Sequence, residues 1–296
     1  RRKHAAVAPH TGSIFTPYCY RCPLNLKFPK CELQCLSASM ELADANFTAA
    51  PAGFIAEPVL SAGGIIVPPE GYFTRVKQEC EKRGMVLIMD EAQTGLGKTG
   101  KLFGFQHEEN LNPDIIAISK HFGGGLPISA VCTTADVAKR AVGRGYFATR
   151  SHATDPLLCA AGEESLDIVF EEDMPGKAAQ IERRIKSAFR KMAKEFEWIG
   201  DIRGRGVLLG IELVKGRATK APANEETQAV YDYALDKGLI FQVRGVRELK
   251  NVIRLVPPMT STREEVDRAL SILYDAFREL GKRGSKRKKA TTGRKT

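Results

Sequence analysis

The sequence predicts an α/β protein with a parallel sheet in its first part and a smaller α/β domain behind it. Three observations carry this reading. Apolar runs of strand length stand at Phe54–Ala56, Met85–Met89 and Ile115–Ile118. An amphipathic helical stretch separates the first two, so a strand, a helix and a strand form a βαβ unit, which implies parallel strands. A charged break, Glu171-Glu172-Asp173-Met174-Pro175-Gly176, precedes a second series of helix and strand signals.

Taken in order, residues 1 to about 50 scatter Pro and Cys without a period and read as irregular. Phe54-Ile55-Ala56 reads as a short buried strand closed by Glu57-Pro58. Gly71 to Arg83 reads as a helix with Tyr72, Val76 and Cys80 on one face, ended by Gly84 at its C′ position. Met85–Met89 reads as a strand buried on both faces, and Ile115–Ile118 as another apolar strand. Thr154 or Asp155 caps a helix with Pro156 in its first turn, lined by Leu157, Leu158, Ala161, Leu166 and Val169. Beyond the break come a charged amphipathic helix (Ala178 to Phe196), a strand pair around Arg203–Leu209, and two helices. The last opens with the capping box Thr262-x-x-Glu265. The expected organisation is a large domain over residues 1–173, a small domain over 174–280, and a basic disordered tail over 281–296.

Composition narrows the function. The net charge of +10 invites a nucleic-acid reading, but eight Lys or Arg and no acid fall in the last sixteen residues, which leaves +2 for the rest. No nucleic-acid partner is expected. No apolar run reaches the ~18 residues of a membrane helix, so no membrane partner is expected either. The N-terminal Arg1-Arg2-Lys3-His4 lacks the apolar core of a signal peptide. Seven cysteines in a chain of this size read as reduced thiols of a cytoplasmic or mitochondrial protein. Cys19-x2-Cys22 and Cys31-x3-Cys35 carry Pro23 and Pro29 between them and no His, so no metal site is expected.

Ala92-Gln93-Thr94-Gly95-Leu96-Gly97-Lys98-Thr99 imitates a nucleotide-phosphate loop. Such a loop must feed a helix whose N-terminal amides cradle the phosphates. Here Gly100-Lys101-Leu102-Phe103-Gly104 follows with no helical stripe, and the acidic Asp90-Glu91 overlaps the loop instead of lying on a later strand. A nucleotide-hydrolase reading is set aside.

The chemistry lies instead at strand ends. Asp90 ends the second apolar run, with Gln93 three residues on, and Lys120 ends the third, before Gly123-Gly124-Gly125. Ligands of open α/β sheets bind at the carboxyl ends of strands. A lysine in apolar surroundings loses solvation and becomes a usable amine nucleophile, and a buried aspartate needs a cationic partner. A structural Asp–Lys ion pair is the competing account. The glycines favour a site because they admit close approach of a ligand to the backbone.

Phe54-Ile-Ala-Glu57-Pro, Met89-Asp90-Glu-Ala-Gln93-Thr-Gly-Leu-Gly-Lys-Thr-Gly, Pro113-Asp-Ile-Ile-Ala-Ile-Ser-Lys120 and Gly124-Gly-Leu-Pro together resemble the signature of class-III aminotransferases. Within that family, Thr154-Asp-Pro-Leu157, Asp201-Ile-Arg-Gly-Arg-Gly-Val-Leu-Leu-Gly and Ile253-Arg254-Leu-Val-Pro-Pro look closest to the 2,2-dialkylglycine decarboxylases. The likeness runs from about Gly12 to Leu280. It implies a fold-type-I transferase with a three-layer αβα large domain, present in part, and a homodimer. It also implies pyridoxal 5'-phosphate, an amino acid and a 2-oxo acid as ligands. It further implies that Lys120 carries the cofactor as a Schiff base and moves protons, and that Asp90 pairs with the pyridine nitrogen. Gln93 would bond the phenolic oxygen, Ala92 would pack under the ring, and Ser151 would reach the cofactor phosphate of the neighbouring subunit. Arg254 would take the substrate carboxylate, with Glu57 behind the substrate. Two departures stand out. A serine of the decarboxylases appears as Ala62, and residues 1–50 show neither the glycine-rich phosphate cup nor the stacking aromatic of the family. A fragment that folds or dimerises without using cofactor is therefore the alternative expectation.

Overall fold

The computed structural model describes residues 10–49, 51–245 and 250–292, with side chains to residue 282. The chain divides into two compact units. One holds residues 1–60 and 66–176; the other holds 61–65 and 177–296.

In the first unit, α1 (Gln34–Asn46) leads to β1 (Gly53–Ala56), α2 (Tyr72–Lys82), β2 (Val86–Asp90), β3 (Ile115–Ile118), β4 (Ala130–Thr133), α3 (Ala135–Gly143) and α4 (Pro156–Glu171). The sheet order is β1-β2-β3-β4. β1, β2 and β3 run parallel, with Ala56 opposite Met89 and Asp90 opposite Ala117, while β4 returns antiparallel. The helix α2 forms on the spacing Tyr72, Val76, Cys80, all within 2% exposure, and Gly84 leaves it at φ 66°. That face meets Leu36, Met40, Leu87 and Met89 in one core cluster. Each such side chain contributes about 1.5–3 kcal/mol by leaving water.

Three expectations need correction. The segment before residue 50 is not wholly irregular: α1 forms because Leu36 and Met40, one turn apart, reach the core, and the Ser39 hydroxyl donates to the Cys35 carbonyl (2.7 Å) and accepts from the Phe15 amide (3.0 Å). β2 is buried alternately, not on both faces, since helices cover the side bearing Leu87 and Met89 while Val86 and Ile88 stay half-buried. In α4 the apolar line holds except at its start: Leu158, Ala161 and Leu166 are half-buried and Val169 buried beside Gly162, but Leu157 is 73% exposed. Asp155 holds its N-cap position without a side-chain capping bond.

The second unit is built on α5 (Met174–Glu195, whose first residues group with the first unit), β5 (Ile199–Arg205), β6 (Leu208–Leu213), α6 (Asn224–Asp236), β7 (Gln242–Arg244), β8 (Val252–Leu255) and α7 (Arg263–Thr292). Its sheet is antiparallel in the order β5-β6-β8-β7. Every residue of β6 is buried, and Phe189 of α5 meets Phe277 of α7 edge-on at 6.4 Å. The motif Asp201-Ile-Arg203 has a structural role. The Arg203 guanidinium donates to the Gly64 carbonyl (2.8 Å), to Asp201 (2.8 Å) and to Glu212 (2.7 Å), and so ties residues 61–65 to this sheet. Gly210 of β6 must be glycine, because a Cβ there would stand 2.9 Å from the Ile65 Cβ.

The capping box forms as read: the Glu265 carboxylate accepts from the Thr262 amide (2.8 Å) and the Thr262 hydroxyl from the Glu265 amide (3.2 Å). Helix α7 then continues to Thr292, so the basic segment from Gly281 extends the helix to that point instead of forming a separate tail; residues 293–296 lie outside the described residues. Lys and Arg are good helix formers, and they suit the negative end of the helix dipole. Leu280 is the last residue of the core cluster, and after it the sequence offers no apolar residue but Ala290. Ending the chain at Lys282 is therefore expected to leave the thermal midpoint within ~2 °C, read by differential scanning calorimetry; a larger fall would show that the basic segment docks.

Candidate functional site

The carboxyl ends of β1, β2 and β3 lie side by side, because the three strands are parallel and in register. Glu57 follows β1, Asp90 ends β2, and Lys120 stands two residues past β3. The ladder places Asp90 opposite Ala117, and the Glu91 amide continues it by donating to the Ala117 carbonyl at 2.8 Å. Lys120 sits at φ 58°, a left-handed conformation that a long side chain adopts at a cost of order 1–3 kcal/mol. The short 3-10 turn Lys120–Gly123 follows, then Gly124 and Gly125 at φ 59° and 113°. Gly123 admits no side chain, because a Cβ would stand 2.6 Å from Ile128 Cγ2.

Asp90 is half-buried and accepts one bond, from the Ala92 amide at 3.1 Å. Its other oxygen takes no described donor, and Lys120 makes no ion pair with it. The structural Asp–Lys pair, the competing account, is thus not formed among the described residues. Lys120 is exposed, which corrects the expectation that its apolar strand would bury it. β3 is half-buried along three of its four residues, and the left-handed turn carries the lysine past the strand end. Ala92 and Gln93 lie half-buried on the irregular loop after β2, and Ser151 is exposed in a turn before α4. No helix follows Gly97-Lys98-Thr99, in keeping with setting aside the phosphate-loop reading. Arg254 belongs to the second unit. It lies on β8, a strand flanked by β6 and β7, is 9% exposed, and donates to the Gln242 side chain at 2.6 Å.

Two residues that sequence reasoning passed over hold this region together. Glu91 is 1% exposed, and its carboxylate accepts from the Thr94 hydroxyl (2.5 Å), the Gly104 amide (2.9 Å) and the Phe105 amide (2.9 Å). Burial pushes its carboxyl above the usual range, while those donors oppose the shift. The spacing of Glu91 three residues before Thr94 was the available signal. Glu91→Ala leaves three buried donors without an acceptor, and the expected cost is about 2–4 kcal/mol, read as a fall in the urea midpoint; an unchanged midpoint would mean that water replaces the carboxylate.

His121 is the other. Its Nε2 lies 2.8 Å from the Gly95 carbonyl, and its Nδ1 is buried without a hydrogen-bond partner. Burial, with Lys98 and Lys120 nearby, pushes it down to about 4 from 6.5. The unfolded chain binds a proton between those values that the folded chain refuses, so this group's contribution to stability is present above pH 6.5 and is lost as pH falls toward 4. Urea midpoints at pH 7 and pH 5 are expected to differ more in the wild type than in His121→Phe; equal slopes would show that the ring is not held neutral.

Cys19, Cys22, Cys31 and Cys35 line one small cavity with Tyr18 and Phe28, and all four are free. No group of His, Cys, Asp or Glu among the described residues is placed to hold a metal ion, and no described helix is long and apolar enough to cross a membrane.

Three parallel strands of a mixed sheet thus present a carboxylate and an amine at their carboxyl ends, with glycines beside the amine, the place where α/β proteins bind ligands. The class-III aminotransferase family model matches residues 2–277, and the chain belongs to that family. The leucine/methionine racemase of Thermococcus litoralis is 34% identical over 280 residues, 93% of this chain and 61% of its own length. Among solved structures, a Bacillus anthracis aminotransferase matches with a TM-score of 0.82 at 30% identity, covering 90% of this chain and 61% of its own. An amine transaminase from an uncultivated Pseudomonas species, solved in its PLP-bound form, matches at 0.78 and 28%, covering 90% and 61%. The chain thus spans about three-fifths of these relatives. The family is pyridoxal-phosphate-dependent, and the α/β fold is that of its fold-type-I transferases.

Proposed function

We propose that this chain carries the lysine-bearing part of a pyridoxal-phosphate site that transfers an amino group between an amino acid and a 2-oxo acid. One observation carries the reading: the parallel, in-register strands β2 and β3 bring Asp90 and Lys120, which is held left-handed just past β3, to the same edge of the sheet. The donor set fits the cofactor. Asp90 keeps an oxygen without a described partner for a cationic ring nitrogen, and Lys120 offers an amine without a described partner for a carbonyl. Pyridoxal phosphate, when bound, supplies the sink for electrons released at the substrate Cα.

The chain's own residues do the rest. The Lys120 amine takes and returns the proton at Cα, and its strained backbone fixes where that amine is delivered. The Asp90 carboxylate would keep the ring nitrogen protonated. Gln93 would hold the phenolic oxygen and Ala92 would pack against the ring. The family likeness assigns substrate contacts to Glu57 and to Arg254, whose planar fork suits a carboxylate. Ser151 serves the phosphate of a second subunit. Tyr146, Phe147 and Leu157, within six residues of Ser151 in sequence and exposed at 66%, 84% and 73%, are apolar side chains that a second subunit would cover. Decarboxylation-dependent transfer is a second reading, supported by the likeness of Thr154–Leu157 and Ile253–Pro258 to the dialkylglycine decarboxylases.

The test incubates the purified chain with pyridoxal phosphate, an L-amino acid and a 2-oxo acid and follows both by NMR. New 2-oxo acid from the donor supports transfer, carbon dioxide supports the decarboxylating variant, and D-amino acid alone would move the chain toward the racemase relative. No cofactor adduct at all would leave a fragment that folds without using cofactor.

A further inference from the structure

We propose that His121 is a positioning residue for Lys120: an imidazole that fastens the lysine turn to the loop after β2 through its contact with the Gly95 carbonyl. This rests on the reading of Lys120 and Asp90 given above. The loop between β2 and the 3-10 turn Gly104–His107 has no regular structure, yet it carries Ala92 and Gln93. Its far end is anchored by Glu91, through the Gly104 and Phe105 amides. Its near end is anchored by His121, whose ring lies 2.8 Å from the Gly95 carbonyl. A carbonyl only accepts, so the ring carries its hydrogen on Nε2 and leaves Nδ1 as a bare lone pair. That Nδ1 is enclosed without a donor.

The ring faces two ammonium groups, Lys98 from the loop and Lys120 from its own turn, together with the Gly95 and Leu96 carbonyls. A proton on Nδ1 would add a third positive charge beside them in partly desolvated surroundings, which is why the imidazole is driven toward its neutral form. The arrangement serves the lysine in two ways. The bond to Gly95 fixes the register between the turn that delivers the amine and the loop that carries Gln93. The neutral ring also spares the amine a further positive neighbour, which would disfavour a cationic adduct on Lys120. Lys120 itself sits at φ 58°, so its turn is strained and needs such an external tie.

The experiment traps pyridoxal phosphate on the full chain with borohydride and maps the labelled lysine by peptide mass spectrometry, in the wild type, His121→Phe and His121→Gln. Histidine ¹⁵N NMR on the wild type reads the tautomer. The expected result is an Nε2–H histidine that stays neutral at pH 5, and labelling of Lys120 in the wild type. Labelling should fall about 10- to 100-fold in His121→Phe, as for a reacting group displaced by about an ångström, and be largely restored by the Gln amide. Should the Phe variant fail to fold, His121→Asn, whose shorter amide falls short of Gly95, gives the same comparison. Wild-type labelling in His121→Phe, or a doubly protonated ring at pH 7, overturns the inference while leaving Lys120 in place. Absence of Lys120 labelling in the wild type overturns the site reading, and this inference with it.

Discussion

Lys120→Ala is expected to abolish the visible absorption that the chain acquires with pyridoxal phosphate and to reduce turnover by about 10²–10⁴-fold or more, the usual worth of a positioned proton-transfer group. The methyl group that remains can neither form the covalent link nor move a proton at Cα. Lys98→Ala is the control. Lys98 lies in the adjacent glycine-rich loop, close enough to bear on His121, so a general loss of positive charge or of local order would appear in both variants. The expected pattern is loss in the first and retention in the second, read by absorption spectra and by borohydride labelling. Equal loss in both would remove Lys120 from its assigned role and return attention to the loop that imitates a phosphate-binding motif.

Asp90→Asn is expected to leave cofactor capture intact and to cut turnover by about 10²–10³-fold, or 2.7–4 kcal/mol, as when one preorganised electrostatic partner is removed. The amide keeps the volume of the carboxylate and can still accept from the Ala92 amide, so the turn after β2 is preserved. What disappears is the negative charge that would hold a proton on the cofactor's ring nitrogen, and electrons released at Cα would then meet a weaker sink. Absorption spectra separate binding from rate. A near wild-type rate would reduce Asp90 to a turn-forming residue, and loss of cofactor capture together with stability would point the same way.

Much of this was legible because local rules and tertiary structure agree. The spacing of Tyr72, Val76 and Cys80 and the glycine that follows dictate α2, and Thr262 with Glu265 dictates the start of α7. The runs ending at Ala56, Met89 and Ile118 give the parallel strands, and parallel strands bring Asp90 and Lys120 to one edge. Helix α1 was harder to see. Its core contacts are few, and the Pro- and Cys-rich stretch before it masks the period.

The sequence by itself determined the α/β class, the strand ends that carry Asp90 and Lys120, and family membership through the combined motifs. Tertiary structure alone decided which strand faces are covered, so β2 proved alternately buried and Lys120 exposed. It also decided the long-range partners. Glu91 reaches the Gly104 and Phe105 amides, thirteen and fourteen residues on, and His121 reaches the Gly95 carbonyl, twenty-six residues back. Arg203 reaches the Gly64 carbonyl, 139 positions away. Periodicity reports the face on which a residue lies over one or two turns. A hydrogen bond to a distant backbone carbonyl or amide leaves no trace in it, because every residue but proline offers the same groups.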